Sequence, residues 1–408
     1  MDEKMSATDS FIVKRYYRSR RTTDSMLSRL DALLVPFSGF PKLASPKSLG
    51  SPKKLLLADG GHLGDTIIIA SLLPALREAF PHMKIGILTG SWNRELLESN
   101  VQFDRIHLLD HWYMNRSTGS RVAFIYDYAE KSRRIVRELK ATGYDVAINM
   151  RPWFPNFVPV LWRANVPVRL GFNRSGFIPL LTHFIPFEYD RRPYRSYHVA
   201  LLSTLPIDGS KLERLITPYI RTNDGARDRF RDILGFDSSQ HFAVLHVGGS
   251  TPKKDWQNQG WIEIAKKLRL QGLISVFTGA GLEQEKSIAQ ITAAVNGSIN
   301  ACGKLSWTEL VTLIGQARLA VCVDTSIGHV AAALGTPCTS LLNGMQDYKL
   351  WRPVGQRSSY VTHEISCNPC FNTQGCEHMS CVREITVSQV ERSIGDVLRT
   401  PQDTEYQS

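Results

Sequence analysis

Residues 53–90 read "KKLLLADGGHLGDTIIIASLLPALREAFPHMKIGILTG", and the order of residue types in this stretch decides the fold. The apolar run from Lys53 to Ala58 predicts a buried strand, Gly60, Gly61 and Gly64 open a turn, Thr66 to Phe80 predicts a helix, and "KIGILTG" predicts a second strand. Strand, helix and strand in this order make a parallel pair, because a parallel connection needs a crossover long enough to hold a helix. The glycine turn then lies at the carboxyl end of its strand, where doubly wound sheets bind ligands. Asp65 stands at the start of the helix, and two readings of it are open. It is a helix N-cap, or a general base that takes the proton of an attacking hydroxyl.

Outward from this unit the alternation continues. Trp92 to Asn100 and Val122 to Thr142 predict helices, and "RIHLLD" and "YDVAINM" predict strands. Residues 151 to about 220 are rich in proline, arginine and aromatics and read as loops and a link. A second series then starts at "HFAVLHVGG" and runs through "LISVFTG", "RLAVCV" and "CTSLLN". A chain of 408 residues, 43% hydrophobic, has material for two cores. The expected division is a basic appendage over 1–52, one α/β domain with its linker over 53–220, and a second α/β domain over 221–408. In the appendage, Met26, Leu27, Leu30, Leu33 and Leu34 recur at helical spacing beside Lys14, Arg15, Arg18, Arg20, Arg21 and Arg29. That pattern fits a surface helix docked on the main body or an attachment to an anionic membrane face.

A formal charge of +11 points to an anionic partner. Nucleic acid is disfavoured, since the core holds no interleaved basic and aromatic motif. The amino-terminal residues contain no apolar signal core, so export is not expected. The most apolar run, Thr66 to Leu76, is broken by Ser71 and Pro74 and falls short of the roughly 20 residues that cross a bilayer.

Three further loops follow predicted strands. In "HVGGSTPKKDW", Gly248 and Gly249 open a turn, Ser250 and Thr251 offer hydroxyls, and Lys253 and Lys254 add charge, which together suit an anion. In "FTGAGLEQEKS", Glu283 or Glu285 suits a ribose diol, or else marks the acid-rich start of an ordinary helix. In "VCVDTSIGHVAAALGTP", residues 321–337, the backbone N–H groups of Thr325, Ser326 and Ile327 are expected to face a diphosphate at a helix end. Asp324, one step back, is expected to accept hydrogen bonds from sugar hydroxyls.

The segments "GDTIIIASLLPALREAFP", "STPKKDWQNQGW" and "VCVDTSIGHVAAALGTP", within a span from about Lys53 to Arg399, resemble the family 9 glycosyltransferases, the heptosyltransferases of lipopolysaccharide core assembly. The resemblance implies an α/β GT-B fold, two Rossmann-like doubly wound domains facing a central cleft. It also implies inversion at the anomeric carbon, an ADP-heptose donor in the carboxyl-terminal domain, and an anionic lipid-linked glycan acceptor met on the cytoplasmic side of the inner membrane. Asp65, after Gly64, matches the family's base. Lys254 matches the lysine on the donor diphosphate, with Ser250 and Thr251 beside it. Glu285 stands at the spacing of a ribose-binding glutamate and Leu305 at that of an adenine contact. Asp324, Thr325, Ser326 and His329 fall on the pattern Asp-Thr-Gly-x-x-His, with Ser326 in place of the common glycine and Gly328 two residues later. The helix end and Lys254 suffice to meet leaving-group charge, so no cofactor is required for catalysis. Three rivals stay open: another nucleotide sugar, a protein or exopolysaccharide acceptor, and a catalytically silent nucleotide-sugar binding protein.

Two groups of residues remain. Arg151, Arg174 and His198 are candidate acceptor contacts, against the alternative of salt bridges within the protein. Cys367, Cys370, Cys376 and Cys381, spaced C-x2-C-x5-C-x4-C, suit a structural zinc or iron, or are free thiols. Neither outcome makes them catalytic.

Overall fold

In a computed structural model, which describes residues 7–114, 119–174, 176–223, 225, 227–235 and 240–400, the chain divides into two compact units, residues 1–214 and 215–408. Residues 1–6 of the expected appendage and 401–408 of the expected second domain lie outside the described residues.

The first unit contains α1 (Ala7–Ser38), β1 (Lys42–Leu43), β2 (Lys54–Ala58), α2 (Leu63–Ala70), α3 (Leu73–Ala79), β3 (Lys84–Thr89), α4 (Arg94–Ser99), β4 (Arg105–Leu108), α5 (Arg121–Thr142), β5 (Val146–Asn149), α6 (Val158–Arg163), β6 (Val168–Phe172), β7 (His183–Ile185), α7 (Tyr194–Leu202) and α8 (Gly209–Glu213). Its strands lie in the order β1-β7-β6-β5-β2-β3-β4, every neighbouring pair parallel. Leu55, Leu56, Leu57 and Ala58 on β2 are all fully buried, as expected of a strand covered on both faces, which needs a continuous apolar run and not an alternating one.

The second unit contains α9 (Arg227–Leu234), β8 (Phe242–His246), α10 (Asn258–Leu270), β9 (Ile274–Thr278), α11 (Leu282–Ala293), β10 (Ile299–Asn300), α12 (Trp307–Gln316), β11 (Leu319–Val323), α13 (Ser326–Leu334), β12 (Cys338–Leu341), α14 (Tyr348–Trp351), β13 (Ser358–Val361), α15 (Ser380–Arg383) and α16 (Val387–Arg399). The sheet order is β10-β9-β8-β11-β12-β13, again all parallel. Both units therefore wind outward one way from their first long strand, return to its other side, and wind outward again. That reversal places a switch point between β2 and β5 in one unit and between β8 and β11 in the other, where the loops splay and leave a crevice at the carboxyl ends. Two doubly wound parallel sheets of this order make the fold α/β and of the GT-B class.

Two sequence expectations are corrected. The helix expected over Thr66 to Phe80 is two, because Pro74 at the second position of α3 has no N–H to continue the ladder, and the Ser71 hydroxyl turns back onto the Ile68 carbonyl at 2.6 Å. The expected loop over 151–220 carries β6, β7, α6 and α7. Its prolines sit at helix starts and strand flanks, as at Pro159 near the start of α6, so they punctuate regular structure without preventing it.

Among the described residues, no helix is long and apolar enough to cross a membrane.

Candidate functional site

Beyond β2 the chain turns through Gly60 and Gly61 before α2 begins. Asp59 is buried, and its Oδ1 accepts the Gly61 N–H at 2.6 Å, so the residue closes its own turn. Asp65 lies in the first turn of α2, three positions beyond the cap; the cap position is His62, whose backbone N–H donates to Asp65 Oδ2 at 2.7 Å. The N-cap alternative for Asp65 is thus corrected to a first-turn acid, placed where the helix dipole favours a negative charge. A side chain at Gly61 would bring its Cβ to 2.6 Å from the Asp65 carboxyl and 2.8 Å from the Arg151 guanidinium, so only glycine lets the loop close over these groups.

Arg151 enters from the end of β5, across the switch point. Its Nη1 lies 3.6 Å from Asp59 Oδ1 and 3.8 Å from Asp65 Oδ1, and all three side chains are buried. Two carboxylates thus share one guanidinium away from water. Burial, and then the charge of Asp65, push the Asp59 carboxyl up to about 7, against the pull of Arg151. Burial opposes charge on Arg151 too, but the two acids hold its pKa above the ordinary arginine value. Tyr194 and His111 complete the surroundings, both kept neutral by burial, His111 with its pKa lowered to about 3. Sequence reasoning singled out Asp65 and Arg151 and passed over Asp59, although its place just past β2, like that of Arg151 past β5, was the available signal.

In the second unit the loop after β8 is glycine-tight. A Cβ on Gly248 would fall 1.9 Å from the Gln284 side chain, whose Nε2 donates to the Gly249 carbonyl at 3.2 Å. Thr251 caps the short turn Pro252–Lys254, and that turn separates the two lysines. Lys253 reaches the Cys376 carbonyl at 3.3 Å, whereas Lys254 Nζ meets Asp324 Oδ2 at 2.8 Å. Asn343, at the end of β12, donates to the same Asp324 oxygen at 2.9 Å. Lys254, Asp324 and Asn343 therefore converge from three loops at the switch point, Asn343 being the member that the sequence reading missed.

The start of α13 differs from expectation in three respects. Thr325 caps the helix, and its Oγ1 accepts the Ile327 N–H at 2.9 Å, so that donor is already satisfied and does not face a ligand. Gly328 is buried, and a Cβ there would lie 2.5 Å from Ser340 Oγ and 2.8 Å from Pro353; it is a packing glycine, not a ligand contact. His329 is buried beside the Trp351 carbonyl with its pKa lowered to about 4 by burial, a neutral ring that ties α13 to α14. Ser326 opens the helix, half-buried, and Ser250 and Glu285 are exposed, Glu285 on the first turn of α11 near Cys302. Leu305 is half-buried just ahead of the Ser306 cap of α12.

The remaining candidates separate from these clusters. Arg174 pairs with Asp24 and lies 4.4 Å over the Tyr17 ring, fastening α1 to the first unit. His198 is fully buried in α7, edge-on to Tyr194 at 4.4 Å, with its pKa lowered to about 3 by burial; a ring without solvent access does not contact an acceptor. Cys302, Cys322, Cys338, Cys370, Cys376 and Cys381 are free thiols. Cys367, Cys370 and Cys376 lie near enough to raise the Cys381 thiol further than burial does alone. Cys376 and Met379 are turned onto each other, Sγ to Sδ at 3.9 Å, and Cys381 packs into the core beside Met379 and Val382. Among the described residues no group of three or more histidine, cysteine or acidic side chains is arranged to hold a metal ion.

Comparison with known proteins adds a family to this geometry. Residues 132–379 match the family described as glycosyltransferase family 9 (heptosyltransferase). Lipopolysaccharide heptosyltransferase 3 of Escherichia coli K12 is 24% identical over 303 residues, 71% of this chain and 82% of that protein. A family 9 glycosyl transferase from Veillonella parvula superposes with a TM-score of 0.69 at 19% identity, over 87% of this chain and 99% of that one. ADP-heptose lipopolysaccharide heptosyltransferase II of Escherichia coli superposes with a TM-score of 0.66 at 20% identity, over 85% and 98%.

Proposed function

The chain belongs to glycosyltransferase family 9 and is a glycosyltransferase of the heptosyltransferase kind; on that premise we propose that it moves a heptose from ADP-heptose to a lipopolysaccharide core or a related lipid-linked glycan, on the cytoplasmic face of the inner membrane. Two similar proteins carry names that include lipopolysaccharide and heptose, one of them ADP-heptose, which supports this donor and acceptor class. The observation that carries the reading is the Lys254 ammonium, 2.8 Å from Asp324 at the start of α13. A cation and a helix amino-terminus at one strand end suit the diphosphate of a nucleotide sugar.

The chemistry follows from charge. The acceptor hydroxyl attacks the anomeric carbon from the face opposite the diphosphate; the new C–O bond forms as the bond to the phosphate oxygen breaks, which inverts the centre. Asp65 takes the proton of the hydroxyl, and ADP departs with the bonding pair. Lys254 and the helix end meet the charge that grows on the leaving group, and such preorganised contacts are worth about 10²–10³ in rate each. Asp324 holds Lys254 in place and offers an acceptor to sugar hydroxyls. Ser250, Thr251 and Ser326 supply hydroxyls and N–H groups beside the diphosphate, Glu285 suits the ribose diol and Leu305 the adenine. Arg151, tied to two acids, is assigned to holding the base and not to gripping the acceptor.

A donor panel with a core-oligosaccharide acceptor tests the reading. Transfer restricted to the ADP-linked heptose, with the anomeric configuration inverted, is expected. Equal use of uridine or guanosine sugars, or nucleotide binding with no transfer, replaces it by one of its rivals.

A further inference from the structure

Six cations and three acids lie on α1, and the structure sorts them by side. At 3.6 residues per turn, Asp9, Asp24 and Asp31 share one flank of the helix, and each is used inside the first unit. Asp9 pairs with Arg191 at 2.5 Å, Asp24 with Arg174, and Asp31 accepts the Ile178 N–H at 3.2 Å. Ile12, Tyr16 and Leu27 are buried beside them, with Tyr16 stacked on Tyr189 at 3.8 Å. Every acid of the helix is therefore spent on docking.

The outward side keeps no acid: its charged groups are all cations, set among hydroxyls and apolar groups. Lys14, Arg18, Arg21 and Arg29 are exposed and have no acidic partner among the described residues. Next to them run Met26, Leu33 and Phe37, and the chain beyond the helix adds Phe40. Leu33 is 70% exposed, Phe37 81% and Phe40 82%, a degree of exposure that soluble surfaces seldom give to neighbouring large apolar side chains. A row of lysine and arginine alongside projecting aromatic and aliphatic groups is what an interfacial helix presents to a bilayer: the rings enter the headgroup boundary while the cations hold anionic lipid.

We infer that the outward face of α1, from Lys14 to Phe40, is a docking surface for an anionic lipid bilayer. The inference deepens the proposed function, on which it rests for the placement of the acceptor in a membrane. It lies outside the segment matched to the family, 132–379, so it is a property of this chain's own amino-terminal helix. The charge sorting selects the occupant: an acidic or neutral partner protein would accept cations and apolar groups in any order, but a planar anionic surface requires that no acid remain on the facing side.

The test is flotation of the full chain with phosphatidylcholine vesicles, with and without phosphatidylglycerol. Two exposed-residue variants accompany it, Phe37→Ser with Phe40→Ser, and Arg18→Glu with Arg29→Glu. The wild type is expected to partition at least about ten-fold more onto the anionic vesicles, and each double variant to lose about ten-fold or more of that binding. ADP binding and transfer to a soluble core fragment are expected to stay unchanged in both variants, which also shows that they fold. No binding of the wild type to anionic vesicles, or variants that bind as well as it does, overturns the surface. So does a concentration-dependent dimer that Phe37→Ser with Phe40→Ser abolishes, which would give this face to a second copy of the chain. Vesicle binding without transfer to the soluble fragment would sink the proposed activity and leave the surface standing.

Discussion

Asp59, Asp65 and Arg151 in the first unit occupy places that correspond to those of Lys254, Asp324 and Asn343 in the second. Each set gathers at the carboxyl ends of strands around a switch point, and each joins carboxylate to a single cation. They differ in stoichiometry and in water. The first set has two acids for one cation and is buried, so negative charge is in excess where it is hardest to solvate. The second matches one acid to one cation, with side chains 18% and 28% exposed for Lys254 and Asp324, and adds a neutral amide donor. An excess of buried carboxylate favours uptake of a proton. A half-open, balanced ion pair favours exchange, in which an incoming phosphate takes over the ammonium while the acid keeps its amide. On the proposed function, one topology then yields a proton acceptor and an anion receptor, distinguished by how many acids surround the cation.

The comparison breaks most readily at Asp65. Replacement by asparagine keeps the shape and removes the base, and kcat is expected to fall by about 10³-fold, within the range typical of a lost general base, while the Kd for donor stays within a few-fold. Undiminished turnover in a transfer assay would take the proton from Asp65 and with it the contrast between the clusters. Lys254→Ala comes next. ADP affinity is expected to drop by about ten-fold or more in titration calorimetry, because the variant removes the cation and leaves Asp324 facing the phosphate. Adding Asp324→Asn to Lys254→Ala is then expected to restore part of that affinity. Strict additivity of the two changes would show that Lys254 and Asp324 are not one exchanging pair.

Much of this was legible in the sequence, and the reasons are local. Continuous apolar runs such as Leu55 to Ala58 and Leu319 to Val323 announce strands of a parallel sheet, and glycine turns at their ends announce the ligand loops. Asp65, Lys254 and Asp324 were singled out because each is a charged residue in a segment that follows a predicted strand. Asn343 and Asp59 stand at strand ends as well, but their function depends on which other strand end lies beside them. That is set by sheet order, and a single sequence does not print the neighbour of a strand. The burial of His198 and Gly328 was hidden for a similar reason: each was read from residue type, whereas groups that surround them, Met150 and Arg151 past β5 for His198 and Ser340 on β12 for Gly328, come from strands of the sheet. Strands β6 and β7 were masked by prolines that mark their flanks.

The smallest expected effect is the most discriminating, and it concerns Asp59. Its carboxyl faces Asp65 from α2 and Arg151 from the end of β5, and it is pushed up to about 7 by burial first and by Asp65 second. In the folded protein it therefore holds a proton that the unfolded chain has already released near its ordinary value of about 4. Between about pH 4 and about 7 the folded state binds the extra proton, so this group's contribution to stability is full at the acid end and is lost as pH rises through the window. Asp59→Asn fixes the neutral form in the same shape and still accepts the Gly61 N–H. The difference in Tm between variant and wild type is accordingly expected to grow in favour of the variant as pH rises toward about 7, then to level off. Transfer is expected to change by less than about ten-fold, since Asp65 and Arg151 remain. Parallel Tm profiles for the two proteins would mean that Arg151 already satisfies both acids. The first cluster would then be an ordinary ion network, and its difference from the second would be one of burial alone.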